Sequence, residues 1–237
     1  HADGWGVAFH GEGGSQIFRD EQPAFRSPLA AFLCREPIRA TTVIAHIRKA
    51  TVGSVQLSNC HPFQRHWAGR TWSFAHNGTL KGYNPDLPPD LQAVGTTDSE
   101  RAFGDLMLML RQRFGERAEP TPQQMAQALR PWADSVATHG PFNFVLTDGQ
   151  ALFAYCSTNL HWLQRQHPFK RVRLCDEELS LDLSENNGPG DLMSLVATKP
   201  LTVDEPWVAL EPGEMAVLVQ GRRIDASPVL QAEPVPA

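Results

Sequence analysis

Six polar positions fall at or just beyond the ends of strand-like runs: Arg48, Thr51, His76, Asn77, Gly78 and Asp98. A side-chain amide and a glycine N–H at the exposed end of a buried strand are two fixed donors, which is what an oxyanion hole requires. Arg48 offers a planar fork suited to a carboxylate. Asp98 stands in the first turn of a helix, where the N-terminal dipole stabilises a carboxylate that could face an ammonium. Together these groups would hold the head group of an α-amino acid and a reacting amide carbonyl. Each has a plainer account when taken singly. Arg48 could form a surface ion pair, Asp98 could be a helix-start charge, and Asn77-Gly78 could be the tight turn of a hairpin.

The elements that must position these groups are readable from pattern. Alternating Trp72, Phe74 and His76 predict a strand with one apolar face that stops at Asn77-Gly78. Thr41 to Ile47 is rich in β-branched residues and predicts a buried strand running into the loop Arg48 to Gly53. Asp3 to His10 reads as a strand entered through glycines, and Gly11-Glu12-Gly13-Gly14 turns it into Ser15 to Arg19. Ser27 and Pro28 cap and open a short helix through Cys34. Thr97-Asp98-Ser99-Glu100 has the form of a capping box, with Glu100 reaching back to the cap. The helix it opens carries Phe103, Leu106, Met107, Leu110 and Phe114 on one face and ends at Gly115. A more polar helix follows from Pro122 to about Ala137. Strands then return at Phe142 to Thr147, Ala151 to Tyr155, Met193 to Thr198 and Met215 to Val219. Cys175 to Leu192 reads as an acidic surface loop, and Pro228 to Ala237 as a proline-rich tail. Strands, helices and strands again predict an α+β layer fold with largely antiparallel sheets.

Bulk composition narrows the function classes. The chain has 237 residues, 41% hydrophobic and 20% charged, enough for one sizeable core in a single domain spanning residues 1–237. A net charge of -5 and the lack of a Lys/Arg cluster argue against nucleic acid. No run of apolar residues reaches membrane-spanning length, and the four cysteines show no paired spacing, so reduced thiols in a cytoplasm are expected. His1, His10, His46, His61, His66 and His76 match no zinc spacing, and neither metal nor cofactor is expected.

In order and spacing, Asp3-Gly4-Trp5-Gly6, Arg48-Lys49-Ala50-Thr51-Val52-Gly53, Asn59-Cys60-His61-Pro62-Phe63, His76-Asn77-Gly78-Thr79-Leu80 and Thr97-Asp98-Ser99-Glu100 resemble the class II glutamine amidotransferases of the N-terminal nucleophile (Ntn) hydrolase superfamily. The likeness is to the stand-alone YafJ-like branch, which is related to enzymes that cleave γ-glutamyl bonds. It implies a four-layer αββα sandwich and hydrolysis of a γ-amide through an N-terminal cysteine thioester. By motif, Arg48 and Thr51 would bind the substrate α-carboxylate, Asp98 and the Gly78 backbone the α-ammonium, and Asn77 with the Gly78 N–H the oxyanion. The sequence departs from the family at Val52, where many relatives have histidine, and at Lys49, where synthases have tryptophan. The family's nucleophile would lie upstream of His1, and Cys60 beside His61 is a poor substitute because adjacent residues of an extended segment face opposite ways. The substrate would be a small molecule, glutamine or a γ-glutamyl compound. If the ammonia were used, a separate acceptor enzyme would be the partner. An alternative is a binding module for glutamine or glutamate without turnover.

Overall fold

The computed structural model describes residues 2–51, 53–176, 179–184 and 187–225. In chain order its strands are β1 (Trp5–Gly11), β2 (Gly14–Asp20), β3 (Thr42–Ile47), β4 (Phe63–Trp67), β5 (Arg70–Gly78), β6 (Phe142–Thr147), β7 (Ala151–Cys156), β8 (His161–Gln166), β9 (Arg171–Arg173), β10 (Ser180–Asp182), β11 (Leu192–Ala197), β12 (Val208–Ala209), β13 (Glu214–Val219) and β14 (Arg222–Arg223). The helices are α1 (Pro28–Leu33), α2 (Asp98–Phe114) and α3 (Pro122–Ala137).

A six-stranded antiparallel sheet, ordered β14-β13-β7-β6-β5-β4, is the centre of the fold. Because alternate residues of a strand face opposite ways, it has two different faces. One carries Trp72, Phe74, Phe142, Phe144, Phe153, Tyr155, Met215 and Val217, and packs with Phe103, Leu106, Met107 and Leu110 of α2 and Met125 and Leu129 of α3. Phe74 stacks on Phe103 with ring centres 5.1 Å apart, which fixes α2 across β5. The other face meets two three-stranded sheets. Over β7 and β13, the sheet β11-β8-β12 closes an apolar cluster containing Ala154, Cys156, Leu160, Leu210 and Ala216. The sheet β2-β1-β3 lies over β4 and β5, and polar links cross this contact beside buried Ala8, Ile44 and Ala75: the His10 Nε2 and Ser73 Oγ are 2.8 Å apart, and the Gln64 amide donates to Ser15 at 2.6 Å and, within the central sheet, to Ser73 at 3.0 Å. The result is the α+β sandwich of the αββα type, with its two long helices in one layer.

Several local expectations are met for identifiable reasons. Ser27 accepts from the Ala30 N–H at 3.2 Å and caps α1. The φ of +85° at Gly115 ends α2, and the Gly115 N–H returns to the Arg111 carbonyl at 2.8 Å. Others need correction. Among the described residues β3 pairs only with β1, so it is an edge strand and not a buried one; Val43 and Ile47 are 47% and 54% exposed. β-branched content reports extended backbone, and burial depends on what covers the strand. The capping box is half formed: Thr97 accepts from the Glu100 N–H at 3.2 Å, but the Glu100 carboxylate takes the Val94 and Gly95 N–H groups, because the preceding loop folds over the helix start. Asn77-Gly78 is not a hairpin turn. β5 runs through both residues and pairs with β6, more than sixty residues on, while the β4–β5 turn is made at Ala68 and Gly69. Within the expected acidic loop, Ser180–Asp182 forms the short strand β10. Val52, one of the two family departures, and the proline-rich tail lie outside the described residues.

Candidate functional site

The site begins at the end of β5. Thr79 N–H donates to the Pro141 carbonyl at 3.2 Å. Antiparallel alternation then turns the N–H and C=O of Asn77 toward β6 and the Gly78 N–H the other way. On that side β4 has already ended, since its register with β5 stops at Phe63 opposite Phe74. The Gly78 N–H therefore points off the ladder. The residue must be glycine, because a Cβ there would lie 1.7 Å from the Pro141 carbonyl oxygen. Beside it, the Asn77 side chain is exposed and its amide bonds to no other described residue. Two donors thus stand uncommitted at one strand end.

A cleft of about 260 Å³ opens there, and its walls include Arg48, Thr51, Asn77, Gly78 and Asp98 together. Arg48 lies just past β3 and is buried. Its guanidinium donates to the carbonyls of Asp3 at 3.3 Å, Ser54 at 3.2 Å and Gly53 at 3.3 Å, so it shapes the loop after β3 while it lines the cleft. The Asp3 carboxylate accepts the Ala50 N–H at 2.8 Å and holds the same loop from the other side. The Thr51 and Thr79 hydroxyls are 2.9 Å apart, joining that loop to the chain just after Gly78. Asp98 is the first residue of α2, and its carboxylate accepts the Leu80 N–H at 2.6 Å and the Ser99 N–H at 3.0 Å.

The cleft also contains residues that pattern alone did not single out. His46 and His61 line it with His76, and their rings are 4.3 Å apart. His76 sits on the helix face of β5, with Nδ1 2.8 Å from Ser99 Oγ and Nε2 3.2 Å from the Pro141 oxygen. A carbonyl can only accept, so Nε2 carries the proton and Nδ1 accepts from the serine. Burial is the main cause that lowers the pKa of all three histidines, to about 4 for His46. For His46 and His61 the neighbouring histidines and Arg48 lower it further. At His76, the Pro141 bond and the charge of Asp98 oppose the shift. Among the described residues, neither His61 nitrogen, nor Nδ1 of His46, has a hydrogen-bond partner. Among the described residues no group of His, Cys, Asp and Glu could hold a metal ion.

Asn59 and Cys60, next to His61 in the same motif, hold the scaffold around the cleft. Asn59 is fully buried; its amide donates to Ser54 at 2.9 Å and accepts the Thr96 N–H at 2.8 Å, tying the Arg48 loop to the start of α2. Cys60 Sγ is 3.4 Å from the Asp20 carbonyl and 3.6 Å from that of Gln56, and burial pushes its thiol pKa up against the pull of Arg48 and Arg19. Gly6 passes so close to the same segment that a Cβ would lie 2.3 Å from the His61 carbonyl oxygen. None of the four cysteines lines the cleft.

Comparison with known proteins sets this geometry in context. The family model for class II glutamine amidotransferases matches residues 1–235. YafJ of Escherichia coli, a protein named as a candidate glutamine amidotransferase, is 42% identical over 94% of this chain and 88% of its own. A 2.0 Å crystal structure of a candidate glutamine amidotransferase from Pseudomonas aeruginosa superposes with a TM-score of 0.79 at 38% identity, covering 94% of this chain and 87% of that one. Glutamine phosphoribosylpyrophosphate amidotransferase of B. subtilis shares the fold at 13% identity and a TM-score of 0.56, over 94% of this chain and 42% of its own.

Proposed function

Because the chain belongs to the class II glutamine amidotransferases, we propose that its cleft hydrolyses the γ-amide of glutamine or a related γ-glutamyl compound through a cysteine thioester. In this reading residues 1–237 act as one glutamine amidotransferase domain. Arg48 and Thr51 bind the α-carboxylate, where a charged acceptor competes well against the neutral carbonyls that Arg48 now holds. Asp98, with the Gly78 carbonyl, binds the α-ammonium. The nucleophile is an N-terminal cysteine outside the 237 residues. Its S–H proton passes to its own α-amine, and the sulfur forms a bond to the amide carbon. The carbonyl π-electrons move onto oxygen, and that oxyanion is held by the Asn77 amide and the Gly78 N–H. Collapse of the intermediate breaks the C–N bond, and the nitrogen leaves as ammonia with the proton from the α-amine. Water then hydrolyses the thioester, releasing glutamate and restoring the thiol. The ammonia is released or used by a separate acceptor enzyme. A reducing compartment, the cytoplasm, suits a thiol nucleophile.

One observation carries the reading: Asn77 and Gly78 present two uncommitted donors in the same cleft as Arg48, Thr51 and Asp98. The test is release of ammonia and glutamate from glutamine. Asn77→Ala is expected to lower kcat roughly 10²–10³-fold, the loss typical of one oxyanion donor. An unchanged kcat removes Asn77 from that role. Trapping with a glutamine-like electrophile should leave Cys34, Cys60, Cys156 and Cys175 unmodified, and an adduct on any of them would overturn the assignment of the nucleophile. Glutamate binding without any turnover by the wild type would instead support a binding module.

A further inference from the structure

We infer that Asn143 is a positioning residue for the oxyanion donors, acting through the peptide bond between Asn77 and Gly78; the inference rests on the oxyanion reading above. Asn143 lies on β6 directly opposite Asn77 and is buried. Its side-chain oxygen accepts the N–H groups of Ser157 at 3.0 Å, Thr158 at 3.0 Å and Asn159 at 3.1 Å. Its NH₂ donates to the Asn77 carbonyl at 3.2 Å and to Thr158 Oγ1 at 2.8 Å. Oxygen and nitrogen are assigned without ambiguity, because a flipped amide would set donors against three N–H groups. Every hydrogen-bonding position of the amide is used.

The bond to Asn77 matters because of what shares its peptide unit. The Asn77 C=O and the Gly78 N–H belong to one rigid plane and point in opposite directions. Holding the carbonyl toward β6 therefore fixes the N–H toward the cleft. A hydrogen bond to the carbonyl also polarises the unit and makes its N–H a better donor. The turn at residues 157–159, held by the Asn143 oxygen and by Ser157 Oγ, which accepts the Phe142 N–H at 2.6 Å, keeps the amide from rotating away. Asn143 never touches substrate in this arrangement; it aims a group that does.

Asn143→Asp isolates the effect. It keeps an oxygen for the three N–H groups and removes both donors. We expect kcat for glutamine hydrolysis to fall about ten- to a hundredfold, the range that small misplacement of a reacting group produces, with KM unchanged. The ¹⁵N resonance of Gly78, which reports hydrogen bonding at the preceding carbonyl, should move. Thr158→Val removes only the other acceptor and should leave both kcat and the Gly78 resonance in place. A Gly78 resonance unmoved in Asn143→Asp, or a raised KM with kcat intact, overturns the inference. Should the wild type fail to hydrolyse glutamine, the functional reading falls, and the Gly78 resonance alone decides the role of Asn143.

Discussion

Asp98 is the residue whose two duties are easiest to separate. Its carboxylate accepts the Leu80 and Ser99 N–H groups, so it both fixes the chain after β5 and places negative charge at the cleft wall. Asp98→Asn keeps the shape and one acceptor oxygen but removes the charge that an α-ammonium would meet. A contact made equally in ground and transition states shows itself in KM alone. Asp98→Asn is therefore expected to raise KM for glutamine about tenfold or more, as loss of a charge-assisted bond implies, with kcat held within a few-fold. Steady-state kinetics with glutamine checks this. A fall in kcat at constant KM would mean that Asp98 acts on the reacting bond and not on the head group.

At the scale of elements, the cleft is lined by three histidines delivered by β3, the segment before β4, and β5. His46, His61 and His76 are all shifted below their ordinary pKa of 6.5, first by burial. The unfolded chain therefore binds protons at these positions that the folded one refuses. Stability from this source is complete above pH 6.5 and is lost as pH falls toward the folded values, about 4 for His46. Each such proton contributes a slope of about 1.4 kcal/mol per pH unit, so His46 alone accounts for about 3 kcal/mol across that window. The urea midpoint should fall steadily between pH 7 and pH 5, and the slope should be shallower in His46→Gln. A flat profile would show that the rings are solvated. No sequence pattern announces this cluster, because its members meet only when two sheets stack. The reverse holds for α2, whose cap, apolar face and terminal glycine are local signals within 97–115, and these gave its limits correctly. β8 was missed for a related reason: His161–Gln166 carries no regular apolar alternation and is held as a strand by β11 and β12, which lie 26 to 48 residues away at their paired positions. Arg48, Thr51, Asn77, Gly78 and Asp98 were legible as a set from residue type taken with the order and spacing of the family's motifs, and the structure brings all five to one cleft. Asn143 was not, since its meaning lies in a partner 66 positions away.

For the whole molecule, the hydrogen bonds from side chain to side chain between the central sheet and its covering sheets gather, among the described residues, on one side of the sandwich. Under β8, β11 and β12 the space between the layers is apolar, built on Ala154, Cys156, Leu160, Leu210 and Ala216. Under β1 it carries polar links beside buried Ala8, Ile44 and Ala75: His10 bonds to Ser73 and Gln64 to Ser15 across the layers. The cleft draws its walls from β3 and the loop after it, β5 with Thr79, the segment before β4, the start of α2 and Pro141, and none from the apolar half. A fold arranged this way anchors its second layer at one end and presents its donors at the other. Damage to the apolar end should therefore cost stability without reshaping the site. Leu210 is the probe, because it is buried in that cluster and its backbone N–H, which bonds to Leu160, survives truncation. Leu210→Ala removes three buried carbons and is expected to destabilise the protein by about 2–5 kcal/mol, seen as a lower urea midpoint. At a temperature where the variant remains folded, its KM for glutamine should match the wild type. If KM rises with the loss of stability, the two halves are mechanically coupled, and the layers move as one body around the cleft.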